Sequence, residues 1–94
     1  MMCLKIVKVE GSSMEPFLRP GQFAIIRKTK QVKIGDVICF PDPQNPKLLL
    51  IKRVQAINDN SAFVIGDNLT KSRDSRHFGM ISKGSIIGKL LFKI

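Results

Sequence analysis

The sequence predicts a small all-β domain with little helix. Short apolar runs alternate with turn clusters at intervals of roughly 8–12 residues. Helical periodicity is nowhere sustained over a long segment, apart from a possible turn at Glu15 to Arg19. With 94 residues there is room for one domain around a modest core, spanning 1–94.

Leu4 to Val9 (LKIVKV) interleaves lysines with apolar residues and reads as a half-buried strand. GSSMEP forms a turn, RPG at 19–21 a second, and Gln22 to Arg27 (QFAIIR) the next strand. KIGD turns into VICF, another short strand, after which PDPQNP at 41–46 is a loop no helix could cross. Leu48 to Ile57 is a strand, NDNS at 58–61 a hairpin turn, and AFVI its return. Residues 66–79 are polar and loop-like, and Ser85 to Phe92 (SIIGKLLF) closes the chain as a strand.

The formal net charge is +9, with Lys and Arg spread along the chain rather than gathered in one block. Such charge attracts polyanions weakly and in a salt-sensitive way. There is no Trp or Tyr, and the six Phe residues make no base-stacking pattern, so specific nucleic-acid binding is not expected. Cys3 and Cys39 lack CxxC spacing and read as free buried thiols in a reducing compartment. With His77 they make no recognisable ligand set, so neither metal nor cofactor is expected. The start carries Lys5 and Lys8 inside its apolar stretch, and the run Leu48 to Ile51 is far short of the roughly 20 residues a spanning helix needs. A cytoplasmic protein without a membrane span is the expectation.

Lys52 is out of place. It sits in LLLIKRV, the most apolar stretch, where alternation puts Leu48, Leu50 and Lys52 on one face and Leu49, Ile51 and Arg53 on the other. Its stem could snorkel, leaving the ammonium in water. A buried amine would instead lose affinity for its proton and could serve as a base. Ser13, in the SSM turn, is a hydroxyl that such a base could activate, since Ser-Lys pairs are an alternative to the Ser-His-Asp triad. His77 is the single rival base, with Asp67 or Asp74 to orient it. GDNLTKSRDSRHFG at 66–79 adds a hydroxyl, Ser72, that could orient the amine, and Asp-Arg pairs that could stiffen the loop.

GSSMEPFL at 11–18, IKRV at 51–54 and GDNLTKSRDSRHFG at 66–79, with GQFAIIRK and KIGDVICF between the first two, resemble the ordered boxes of type I signal peptidases. That resemblance implies a mostly β fold, either a small barrel or a folded sheet, like that of signal peptidases and LexA-type domains. It places the nucleophile at Ser13, the general base at Lys52 and the base-orienting hydroxyl at Ser72. Asp74 and Arg76 fall on bracing positions, and Asp67 and Arg53 belong to the same boxes. Gly11, Ser12, Met14 and Pro16 set the turn, with Ser13 itself supplying an oxyanion N–H.

Phe17 stands where the family usually has Thr, and Gly11 where some members place a serine hydroxyl for the oxyanion hole. Twelve residues between Arg53 and Gly66 leave no room for the large inserted β domain of bigger members. A short chain with no transmembrane anchor is most similar to the nickel-type superoxide dismutase maturation proteases, which implies removal of an N-terminal propeptide from that precursor. Two other readings stand beside it: a LexA-like self-cleaving regulatory domain, and a non-catalytic basic β-barrel that binds nucleic acid.

Overall fold

The alternating runs assemble into one seven-stranded antiparallel sheet in the computed structural model, which describes residues 3–94. The first two residues of the expected 1–94 domain lie outside the described residues. The strands are β1 (Leu4–Lys8), β2 (Phe23–Lys28), β3 (Val37–Asp42), β4 (Asn45–Ile57), β5 (Ser61–Ile65), β6 (Ile81–Ser82) and β7 (Gly88–Lys93). Their spatial order is β1-β2-β7-β3-β4-β5-β6, so the ladder is open and the molecule is a folded sheet, not a closed barrel.

β3 explains why. Alternation places Val37 and Cys39 in one hydrophobic cluster with Val9, Met14, Leu18, Ala24 and Ile26. Ile38 and Phe40 point the other way, into a second cluster with Val54, Ala62, Val64, Ile81 and Ile86. A strand covered on both faces must be apolar throughout, and VICF is. β1 alternates in exposure, but its lysines do not set which face is wet: Leu4, Ile6 and Lys8 are exposed, while Lys5 and Val7 are half-buried.

Two expectations need correcting. PDPQNP is not an open loop: β3 and β4 run into it, with Asp42 opposite Asn45 and only Pro43 and Gln44 between them. Asp42 Oδ1 accepts the Gln44 N–H at 2.9 Å, an Asx turn that closes the hairpin, and the register shift beside Pro41 accommodates its missing donor. Residues 66–79 are not a solvated loop either. They hold a 3-10 turn (Leu69–Lys71) and a single-turn helix, α1 (Ser75–Phe78), and they bury Ser72, Asp74 and Ser75.

α1 has a local cause. Asp74 caps it by accepting the Arg76 N–H at 3.2 Å, and His77 Nδ1 accepts the Asp74 N–H in return, also at 3.2 Å. One turn would not hold alone, so the Ser75 hydroxyl ties it to β5 by accepting the Val64 N–H at 2.8 Å. The final strand begins later than expected, at Gly88, because Lys83–Ser85 forms a second 3-10 turn.

Candidate active site

The turn at residues 11–18 is anchored from beneath. Met14 and Leu18 enter the first cluster, and the Leu18 N–H reaches the Met14 carbonyl at 2.9 Å. Gly11 starts the turn at φ 73, a left-handed backbone that favours glycine. The Ser12 carbonyl accepts from the Glu15 N–H and from Asn68 Nδ2, both at 3.1 Å, while the Ser13 carbonyl accepts the Asn68 N–H at 2.9 Å. Asn68 thus clamps the turn to the 66–79 segment. Pro16 is exposed and follows a cis peptide bond.

Opposite this turn, β4 carries Lys52, paired with Ile38 across the β3–β4 ladder. Leu50 before it and Val54 after it share its face and pack in or against the second cluster. Lys52 is 4% exposed, so snorkelling is excluded. Its Nζ donates to Ser13 Oγ at 2.7 Å, joining residues 39 positions apart. Burial lowers the affinity of this amine for its proton; Asp74 and Asp42 pull the other way, and Arg73 adds to the lowering.

The dry surroundings do not come from LLLI as a block: Leu48 is 54% and Leu49 37% exposed. They come from the two faces of β4 nearer its middle and from the turn above it. The other face of β4 carries Arg53, which grips Asp67 with two hydrogen bonds of 2.9 Å and the Gly35 carbonyl at 2.8 Å. Phe17 lies under that guanidinium, 4.9 Å from its ring centre, with Lys93 Nζ 4.5 Å away as well. An aromatic ring at position 17 is therefore used to order two cations beside the turn.

Asp74 is the hub of the last segment. Its fully buried carboxylate accepts from Ser72 Oγ at 2.7 Å, from the Gly66 N–H at 2.9 Å, and from Arg76 Nε and Nη2 at 2.9 and 3.0 Å. Burial alone would raise its pKa; the hydrogen bonds from Arg76, Gly66 and Ser72 together outweigh that and hold the carboxyl well below the usual range. Arg76 also reaches the Leu69 and Ser72 carbonyls, at 2.7 and 3.3 Å, fixing the loop that carries Ser72.

The structure thus gathers Ser13, Lys52, Asp74, Arg76, Asp67 and Arg53 in one region, with Gly11, Ser12 and Met14 in the turn. Ser72 lies beside them, but its hydroxyl donates to Asp74, not to Lys52. His77 stands apart as a half-exposed helix cap. Among the described residues no cluster could hold a metal ion. Cys39 is buried as expected, its thiol pushed up to about 11 by desolvation, but Cys3 is exposed.

Sequence reasoning missed the pair of Arg73 with the buried Asp42. Arg73 also donates to Gln44 Oε1 at 2.7 Å and lies over the Phe78 ring, tying the 66–79 segment to the β3–β4 hairpin. No local pattern announces a contact across 31 positions.

A serine hydroxyl thus lies against a desolvated amine on a small folded sheet. The chain belongs to the signal peptidase family, peptidase S26, whose model matches residues 1–58 and 54–94. It is similar to mitochondrial inner membrane protease subunit 1 of Mus musculus, 26% identical over 95% of this chain and 68% of that protein. Mitochondrial inner membrane protease subunit 2 of Schizosaccharomyces pombe is 30% identical over 88% of this chain and 60% of its own length. The subunit 2 of Saccharomyces cerevisiae is 28% identical over 92% of this chain and 65% of its length. The chain spans about two thirds of these relatives.

Proposed function

We propose that this chain is a serine endopeptidase in which Ser13 is the nucleophile and Lys52 the general base, and that it removes an N-terminal leader or propeptide from a precursor protein. The observation that carries this reading is the 2.7 Å separation of Lys52 Nζ and Ser13 Oγ, with the amine buried. In the neutral form Nζ takes the hydroxyl proton as Oγ attacks the scissile carbonyl. The resulting ammonium protonates the leaving amine, and the neutral amine then activates the water that hydrolyses the acyl-enzyme. Backbone N–H groups of the turn, that of Ser13 among them, face the developing oxyanion.

Ser72 acts on the amine through Asp74: it fixes the carboxylate whose charge the ammonium feels. Asp74, Arg76, Asp67 and Arg53 brace the two loops. A cleft of about 90 Å³ beside Ser13 runs between residues 7–10 and 49–52, with Val7, Val9, Leu49 and Ile51 in its lining. Its size suits a small apolar side chain, and the extended substrate adds along the free edge of β1.

The nickel-type superoxide dismutase precursor as substrate rests on the resemblance of residues 11–18, 51–54 and 66–79. The cytoplasmic placement rests on the free thiols. No helix among the described residues is long and apolar enough to cross a membrane.

Co-incubation with that precursor and with other metalloenzyme and secreted precursors, reading new N-termini by mass spectrometry, tests substrate and activity together. New termini that vanish with Ser13→Ala and with Lys52→Met support the dyad. Undiminished turnover by Lys52→Met overturns it.

A further inference from the structure

A second concavity, separate from the Ser13 turn, has an unusual lining. It measures about 370 Å³ and is walled by Arg27, Lys30, Lys33, Lys83 and Lys89, with no carboxylate in the wall. The seven acidic residues of the chain are placed elsewhere. Asp42, Asp67 and Asp74 are each held by an arginine, and Asp36 stands at the rim, where it accepts the Lys33 backbone N–H at 2.8 Å and lies 3.9 Å from Lys89 Nζ, one carboxylate against five cations. The positive charge of this cleft is therefore largely uncompensated, and a concave low-dielectric wall concentrates its field.

One of these cations is built into the wall. Lys30 Nζ donates to the Gly84 carbonyl at 2.6 Å and to the Ile86 carbonyl at 3.0 Å. It joins the segment after β2 to the 3-10 turn before β7. Both acceptors are neutral, so two of its three N–H groups are fixed while its charge has no counterion there. An ammonium held this way is oriented before any anion arrives, which removes part of the ordering cost of binding.

The position of the cleft relates it to the proposed active site. Arg27 pairs with Lys89, Lys89 with Ile38, and Ile38 with Lys52, so one cross-strand row on one sheet face links cleft and dyad. Three interstrand steps make that row about 14 Å long, roughly four extended residues. Ile38 in the middle is fully buried, so the two openings are separate and not two ends of one groove.

We propose that this cleft is an exosite for an acidic segment of the polypeptide substrate, a run of Asp or Glu side chains away from the scissile bond. The assignment of the ligand as substrate rests on the peptidase reading above. Acidic peptide fits the lining better than nucleic acid does. No aromatic ring faces the cleft for base stacking, and four of its five cations are lysines, point charges that suit carboxylates in varied geometries. A precursor that engages both sites carries its acidic run more than about four residues from the cleavage point, because the direct path is closed.

The test uses the full chain with a fluorescently labelled hexaglutamate peptide at low salt, and fluorescence anisotropy as readout. Lys33→Gln with Lys83→Gln removes two wall charges whose side chains make no hydrogen bond in the fold. Lys47→Gln with Lys71→Gln removes the same charge from exposed positions elsewhere. The expected result is saturable binding, weakened tenfold or more by the first pair, little changed by the second, and poorly displaced by an oligothymidylate of equal charge. Equal weakening by both pairs, absence of binding, or tighter binding of the oligothymidylate overturns the proposal. In a cleavage assay the first pair raises KM for a substrate with an acidic run and leaves a short neutral peptide unaffected. Binding is read without turnover, so a chain that binds hexaglutamate and cleaves nothing overturns the peptidase reading and keeps the acidic-peptide site. A chain that cleaves and does not bind does the reverse.

Discussion

Ser72 gives its hydroxyl proton to Asp74, 2.7 Å away, and both side chains are buried two positions apart in the same loop. The carboxylate is the acceptor on which the Gly66 N–H, the Ser72 hydroxyl and the Arg76 guanidinium converge. Asp74→Asn leaves these donors facing a group that is neutral and itself half donor. Loss of a buried charged partner costs about 3 kcal/mol, read as a lower midpoint in urea unfolding, with cleavage falling in the same variant.

Activity rises with pH through the titration of Lys52. Burial places that titration below the ordinary lysine range, near 10.4. The profile of kcat/KM on a short peptide therefore has a rising limb that Lys52→Met abolishes, with a loss of about a thousandfold.

Stability follows from the same shift with a definite sign. Between the depressed folded pKa and the ordinary unfolded one, the unfolded chain binds the extra proton, so stability climbs with pH across that window. It is lost again as pH falls through the folded value. Lys52→Met removes this penalty, so the inactive variant melts a few degrees higher near neutral pH. A lower melting temperature would show that the amine is not desolvated.

Gly66 is a contact point between the two halves of the site. A Cβ there would lie 2.2 Å from Ser72 Oγ and 2.6 Å from the Ser13 carbonyl oxygen. Backbone cannot swing away as a side-chain tip can, so Gly66→Ala displaces the Ser13 turn. The expected outcome is a drop in kcat of about a hundredfold, from a misplacement near 1 Å, with a smaller change in KM.

The thiols differ in reach. In the native protein iodoacetamide adds to the exposed Cys3 and spares Cys39, which is fully buried and whose thiol stays protonated at neutral pH. Intact mass shows one adduct natively and two after denaturation.

Most of the strands were legible as short apolar runs between turns, and VICF is apolar throughout because it is covered on both faces; in LKIVK the strand was legible but not its buried face, since Leu4 and Ile6 are the exposed residues. The oddity of Lys52 was legible too, since a lysine among apolar neighbours conflicts with its local pattern. What stayed hidden was set by partners distant in the chain. Polarity made residues 66–79 look solvated, yet Ser72, Asp74 and Ser75 are buried because each finds a hydrogen-bond partner. The leucines at 48 and 49 misled in the other direction: the hairpin carries them past the end of the core. That the Ser72 hydroxyl donates to Asp74 was hidden too, because it depends on ångström-scale loop geometry that spacing does not encode.

The double-sided burial of β3 has a consequence for how long activity survives stress. Ser13 rides on Met14 and Leu18, which belong to one core, while Lys52 is flanked by Leu50 and Val54, which belong with the other. The pair meets only while both cores are intact, so the dyad works as a coincidence detector for folding. Loosening of either half parts the hydroxyl from the amine before the chain as a whole unfolds, and a half-folded molecule is a silent one.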